Sequence, residues 1–356
     1  MSKEEVDLYV KSDKSKFADG IKKLARDISD NIHSRNVKLL PIRWDERIDR
    51  HSNKLRKIGT ETIIHQIYDY IAVEGIKELC NAKIAYHQWA CLPGKGQVQG
   101  MRAIKKWLRN DAANTKYAVK CDVRKWYPSI NHDRLMSFLK RDIKNESLLW
   151  LLELLINQYD GSLSIGSYLS QYLCNYYLSY AYHYASEQLA ITKTRRGQTK
   201  RVRLVNHVLF YMDDILLLGG NKRQLIKGFE MLRQYMKDVL LLDIKDDWHM
   251  FKVQYVANDG QVKGSVIDMM GYKVGRVNIT VRRCIFKRIR RELFKIKRYK
   301  KQHKEISIRL ARCVASLFGW LKNSDSYGFI KKYEKLFEIA KKTVSEYDKK
   351  GLRVRC

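Results

Sequence analysis

Two aspartates stand side by side at Asp213 and Asp214, between apolar runs at 205–210 and 215–218. Each run is short enough for a buried strand, so Tyr211-Met212-Asp213-Asp214 reads as the tight turn joining them. Adjacent carboxylates at a hairpin tip repel each other. A divalent cation offsets that repulsion, and magnesium favours carboxylate oxygens. Taken alone, the tetrapeptide is equally well read as a solvated turn. A third acid, Asp122, ends an apolar strand at 117–123 and suits neither a core nor a plain surface. It lies 91 residues before Asp213, so only the fold can bring the two together.

Other residue types suit an anionic, nucleotide-like substrate. Lys54 and Arg56 alternate and on a strand would share one face, a point charge beside a guanidinium fork suited to a triphosphate. The alternative is a basic surface strand. The loop Cys91-Leu92-Pro93-Gly94-Lys95-Gly96-Gln97 lacks P-loop spacing, yet its glycines and lysine precede a helix and could approach a backbone phosphate. A glycine- and serine-rich loop at 161–171 leads into a tyrosine-rich helix expected over 172–190. It is either a plain capped helix start or a place for small polar groups to meet a base or sugar.

The elements that must position these groups follow from periodicity. Helices are expected at 61–79, 101–108, 148–156, 222–240, 310–321 and 327–344, with an amphipathic lead-in over 1–40. Strands are expected at 241–245 and 249–255, and hairpins at 192–203 and 266–274. Residues 282–304 carry twelve Lys or Arg and one acid, Glu292, around an apolar stripe of Ile285, Phe286, Ile289, Leu293 and Ile296. That pattern is a packed helix with a basic outer face, either simply solvated or fitted to a duplex backbone.

With 356 residues, the chain can hold two or three subdomains. Its net charge of +32, from 70 basic and 38 acidic residues, points to a polyanionic partner, most simply nucleic acid. No apolar run reaches spanning length and the N-terminus does not read as a signal peptide, so no membrane partner is expected. Seven scattered cysteines without zinc spacing read as reduced core thiols of an intracellular protein.

Taken in order, these pieces resemble a reverse transcriptase from about residue 40 to the C-terminal helices. Asp122 with Tyr127 resembles the first catalytic motif, Gly166 to Asn175 the second and Tyr211-Met212-Asp213-Asp214 the third. The 241–252 segment resembles the region that follows, and Met270-Gly271-Tyr272 the primer-grip hairpin. The resemblance implies an α+β right-hand polymerase with fingers, a palm of antiparallel sheet plus helices, and a helical thumb. The expected divisions are a lead-in at 1–40, fingers at 41–116, a palm with an interleaved fingers segment at 117–275 and a basic thumb at 276–356. It further implies two Mg2+ ions, with Mn2+ as a substitute, held by Asp122, Asp213, Asp214 and the Val123 carbonyl. Lys54, Arg56, Tyr127, Ile165, Gly166 and Gln171 would bind the nucleotide. Tyr211, Met212, Gly271, Tyr272, Arg288, Arg291 and Lys295 would bind primer and template.

The second motif departs from the family pattern. Most members carry Leu-Pro-Gln-Gly followed by Ser-Pro; here Leu163-Ser164-Ile165-Gly166 precedes Ser170-Gln171. This is similar to the enzymes of diversity-generating retroelements, which copy a template RNA with errors at adenines. Defence-associated reverse transcriptases using a non-coding RNA are the competing reading, and a silent RNA-binding scaffold is the reading from another class. Ribonuclease H, integrase and maturase segments are not expected. Implied partners are template RNA, the RNA/DNA duplex, dNTPs and a small accessory protein oligomer, in the cytoplasm of a bacterial or phage-infected cell.

Overall fold

A computed structural model describes residues 14–48, 55–159, 161 and 163–349. The chain forms two compact units, residues 1–84 with 125–177 and residues 85–124 with 178–356. These units divide the chain at different places from the fingers, palm and thumb bounds expected from sequence. Among the described residues no helix is long and apolar enough to cross a membrane.

In the first unit a helix at Lys14–His33 precedes an antiparallel hairpin, Arg43–Ile48 with Leu55–Thr60. Four longer helices follow: Ile63–Gly75, His132–Asp142, Glu146–Ile156 and the start of Tyr168–His183. Side-chain caps fix three of these starts. Thr62 accepts from His65 N–H, Asn131 from Arg134 N–H and Asn145 from Leu148 N–H. The single helix expected at 61–79 is two, Ile63–Gly75 and Lys77–Lys83, broken at Ile76. The Glu146–Ile156 helix packs closely here, since a Cβ on Gly75 would lie 2.7 Å from Leu148.

The second unit is built on a four-stranded antiparallel sheet. Its order is His207–Tyr211, Asp214–Gly219, Tyr117–Asp122, His249–Lys252. Ile215 to Leu218 have no exposed surface and Ala118 and Val119 none either, so the two central strands are buried on both faces. Ala118, Leu209, Leu216 and Leu218 join a core with Met101, Ile104 and Leu108 of the Gln97–Asn110 helix. The Lys222–Leu240 helix packs against both central strands with Leu225, Phe229, Leu232, Met236 and Leu240 buried.

Three further elements differ from expectation. Residues 241–245 form no strand, because Leu241 is left-handed (φ 54°) and only Ile244 bridges to Val123. The helix expected to reach 190 ends in a π turn at Tyr184–Gln188, where Tyr184 stacks on Tyr235 at 4.1 Å. The last expected helix is split into Tyr327–Lys332 and Glu334–Lys349 at Tyr333, whose ring packs on Phe329. Arg283–Lys301 and Ile308–Lys322 form as expected, with Leu310, Val314 and Phe337 sharing the same core as the basic helix's Ile289, Leu293 and Ile296. The thiols are free among the described cysteines, but Cys91 and Cys284 are exposed, so they are not all core thiols.

Candidate active site

The hairpin at 207–219 turns through two residues, Met212 and Asp213, because Tyr211 pairs directly with Asp214. Met212 sits in the left-handed region at φ 52° although it is not glycine. That strain costs on the order of 1 kcal/mol or more and is held by the surroundings. Met212 is buried, Phe210 N–H donates to the His87 carbonyl at 3.0 Å, and Val123 N–H donates to the Asp213 carbonyl at 3.1 Å.

The same sheet register places Asp122 directly opposite Asp214. Strand alternation puts Lys120 on that face too, with its Nζ 3.9 Å from Asp214 Oδ1. Like charges directly opposite on a sheet are destabilising. The pair answers by splitting its protonation. Burial first, then a hydrogen bond with Asp122, pushes Asp214 up to about 7. Burial also acts to raise Asp122, but the hydrogen bond from Asp214 and the Lys245 ammonium hold it below the usual carboxylate range. Lys245 Nζ lies 3.0 Å from Asp122 Oδ2, and its N–H donates to the Asp122 carbonyl at 2.9 Å. Without a cation, Asp214 is the acid pushed toward its protonated form and Asp122 the one held toward its ionised form.

Three carboxylates and a neighbouring backbone carbonyl are the donor set a hard divalent cation takes. Asp122 and Asp214 stand directly opposite each other with Asp213 in the adjoining turn, a gathering of like charges that a cation would offset, so the residues fit such ions. Sequence reasoning found the acids but missed both lysines. Lys120 was legible, two residues before Asp122 on a strand; nothing local marked Lys245, which the fold delivers from 123 residues away.

The remaining expected residues fall in separate places. Tyr211 is half-buried beside the turn, and burial raises its phenol pKa. Met270 and Gly271 both have positive φ (53° and 80°), the signature of a two-residue primed hairpin turn. A Cβ on Gly271 would lie 2.4 Å from Trp320, so only glycine fits. Tyr272 is buried, its ring 5.0 Å from Trp320, and so serves the core. On the basic helix, Arg291 and Lys295 both bond to buried Glu292 (3.2 and 2.8 Å), and Arg288 is half-buried with its guanidinium 3.9 Å from Cys313 Sγ.

Arg56, Tyr127, Ile165, Gly166 and Gln171 lie in the first unit; Lys54 is outside the described residues. Arg56 is exposed and directly opposite Arg47 on the hairpin, a pairing of two cations. Gly59 N–H and Gly166 N–H both donate to Ser164 Oγ (3.1 and 3.2 Å), and Ser164 N–H to Ser170 Oγ (3.3 Å). A Cβ on Gly166 would stand 2.2 Å from the Gly59 carbonyl oxygen, so this glycine is required by backbone approach. Ile165 is half-buried, as are Tyr127 and Gln171. Tyr127 meets the same loop through its backbone, its carbonyl accepting from Leu163 N–H at 3.3 Å.

An antiparallel sheet backed by helices, with acids opposed on its central strands, defines the α+β class of right-hand nucleic-acid polymerases. Residues 48–258, more than half of the chain, match the family described as reverse transcriptase (RNA-dependent DNA polymerase), and the chain belongs to that family. No curated protein matches the sequence. Among solved structures, the chain is similar to telomerase from Candida albicans in complex with a TWJ fragment of telomeric RNA. That likeness has a TM-score of 0.48 at 8% identity, covering 88% of this chain and 64% of the telomerase chain.

Proposed function

We propose that this chain is an RNA-directed DNA polymerase that makes cDNA from a dedicated template RNA. The observation that carries the reading is the opposition of Asp122 and Asp214 across the central strand pair, with Asp213 in the adjoining turn. In the reaction, a primer 3′-hydroxyl oxygen forms a bond to the α-phosphorus of a dNTP and pyrophosphate leaves. Asp122, Asp213, Asp214 and the Val123 carbonyl would hold two magnesium ions, or manganese in their place. When bound, such ions stabilise the attacking and leaving oxygens. Lys245 favours the ionised form of Asp122, and Asp214, raised to about 7, would serve as a ligand in its ionised form. Lys54 and Arg56 are proposed to neutralise the β- and γ-phosphates. Tyr127 is proposed to sit beneath the sugar and exclude a 2′-hydroxyl, with Gly166 and Gln171 flanking the nucleotide. Primer and template are assigned to Tyr211, Met212, the backbone of the Gly271-Tyr272 turn and the basic helix.

The test is extension by the complete chain of a DNA primer annealed to RNA, with dNTPs and MgCl2. Template-dependent product that EDTA removes is expected. RNA binding without extension would leave the silent scaffold. Tyr127→Ala should admit ribonucleotides, and unchanged sugar discrimination in a variant that still polymerises removes Tyr127 from that role.

The finer reading is error-prone synthesis of the diversity-generating kind, supported by Ile165 where most of the family has glutamine. An aliphatic side chain offers no hydrogen bonds, and a site without them discriminates less. Ile165→Gln should lower misincorporation opposite template adenine when cDNA from one defined RNA is sequenced. Equal error spectra would remove Ile165 from the argument and favour the defence-associated reading. A small accessory protein oligomer and a cytoplasmic setting belong to the same proposal.

A further inference from the structure

A second group of acids lies in the first unit, none of it part of the polymerase site. His65 and Asp69 are one turn apart on the Ile63–Gly75 helix and fully buried; Glu61, just before that helix, is 9% exposed. One donor atom from each of the three lies within 4.8 Å of the others. Asp69 Oδ2 accepts from the Ser167 hydroxyl at 2.7 Å and from Leu169 N–H at 3.1 Å, and Glu61 Oε1 accepts from the Tyr159 hydroxyl. The other Asp69 oxygen, Oδ1, and both ring nitrogens of His65 have no hydrogen-bond partner. His65 Nε2 stands 3.9 Å from Asp69 Oδ1, too far for a hydrogen bond. Buried polar atoms are nearly always satisfied, so the unpartnered Asp69 Oδ1 and an unpartnered His65 ring nitrogen beside Glu61 call for an occupant.

We propose that Glu61, His65 and Asp69 hold a divalent transition-metal ion of the zinc class, bound for structure. The donor set is one imidazole and two carboxylates, which suits zinc better than the all-oxygen preference of magnesium or calcium. Two carboxylates balance the ion's charge, which matters in a buried site, and an enclosed water would complete four-coordination. Zinc ligands sit about 2.0–2.2 Å from the metal, so opposed donors are at most roughly 4.4 Å apart. The donors lie up to 4.8 Å apart, so ion binding requires the side chains to rotate inward. The hydrogen bonds to Asp69 Oδ2 leave Oδ1 for the ion and orient the carboxylate, as outer partners of metal ligands do. Burial pushes Glu61 up to about 6, with the Asp69 charge adding to it, raises Asp69, and pushes His65 down to about 4. Each group is thus driven toward its uncharged form until a cation is supplied. Ser167 belongs to the loop that carries Ile165 and Gly166 and Leu169 to the first turn of the Tyr168–His183 helix, so the ion would clamp that loop and helix start to the Ile63–Gly75 helix.

The test uses the complete chain, untagged, with Asp122→Asn and Asp214→Asn to silence the other carboxylates. After dialysis against a chelator it is titrated with Zn2+ alone in competition with a chromophoric chelator. One Zn2+ per chain is expected, weakened roughly 10–100-fold by Ser167→Ala and lost in His65→Leu. Failure of the chain to take up Zn2+, or uptake unchanged by His65→Leu, overturns the proposal. Should His65→Leu not fold, Co2+ substitution decides. Nitrogen- and oxygen-ligated visible bands support the site, and a thiolate charge-transfer band, assigning the ion to cysteines, overturns it.

Discussion

The two acid clusters solve the same problem in opposite ways. Asp122 and Asp214 are each a little over a quarter exposed and have a lysine apiece, Lys245 and Lys120. Their protonation is split, one carboxyl held low and the other raised to about 7. Glu61 and Asp69 are sealed, have no lysine or arginine bridged to them among the described residues, and are both raised, with an unpartnered imidazole between them. A site that must exchange ions and substrate stays partly wet and keeps one acid ionised in advance. The proposed structural-metal site can be dry because its ion need not exchange, and burial drives its acids toward the neutral form.

The largest contrast should come from deleting one acid in each cluster. Asp122→Ala should cut primer extension on the order of 10³-fold or more, leaving RNA binding intact, because it removes one of the proposed metal ligands. Asp69→Asn should leave catalytic metal use unchanged and act on loop order and stability. Extension assays beside filter binding check the first, and limited proteolysis of the 161–171 loop the second.

Next in size is the pH response of the cation-free chain. Asp214 has its folded pKa raised, so the native state binds more protons than the unfolded state between about 4 and about 7. Stability is therefore lost as pH rises through that window. Glu61 adds to the same trend up to about 6. Asp122, held low, acts in the other direction and only in acid. Asp214→Asn should stabilise the chelator-treated chain at pH 8 by about 2 kcal/mol. Thermal melts in EDTA at pH 5 and pH 8 measure this, and a variant less stable at pH 8 contradicts it. His65→Leu should be nearly neutral in EDTA, since it removes two unsatisfied nitrogens from a buried site; a loss of several kcal/mol there would show that the imidazole is already partnered.

The smallest effect concerns the basic helix. Lys287, Arg290 and Lys297 are exposed, whereas Arg291 and Lys295 are tied to Glu292. Reversing the exposed three should lower the salt slope of RNA binding by roughly one unit for each phosphate they neutralise. Reversing Arg291 and Lys295 should also destabilise the fold, because Glu292 is held ionised by their hydrogen bonds against its burial.

Much of the palm sheet was legible because its signals are local. Apolar runs interrupted by Asp213-Asp214 gave the hairpin, Asn221 caps the Lys222–Leu240 helix at the expected bounds, and the 192–203 hairpin formed as Ala190–Arg195 with Gln198–Arg203. The misses depend on distant partners. Residues 241–245 run beside Asp122 with hydrogen bonds from Arg124 N–H and Lys245 N–H, but the left-handed Leu241 shortens the pairing to one bridge. The break at Ile76 follows Gly75, where Leu148 approaches so closely that an added Cβ would lie 2.7 Å from it. Lys245 at Asp122, and Ser167 and Tyr159 at the Glu61–Asp69 cluster, lie about a hundred residues from their partners. The cluster had one local sign, His65 and Asp69 at helical i, i+4 spacing, hidden among the apolar positions of the same helix.

The most direct test is a magnesium titration of primer extension on an RNA template, from pH 6 to pH 8.5, with the parent chain and Asp214→Asn. As a magnesium ligand, Asp214 would bind the ion in competition with a proton, because burial raises its pKa to about 7. Half-saturating magnesium should therefore rise by up to about tenfold per pH unit below 7 and level off above it. Asp214→Asn should show no appreciable extension at any magnesium concentration while still binding RNA. Near-parental extension by Asp214→Asn at saturating magnesium would contradict the assignment of the opposed aspartates as the catalytic cation site.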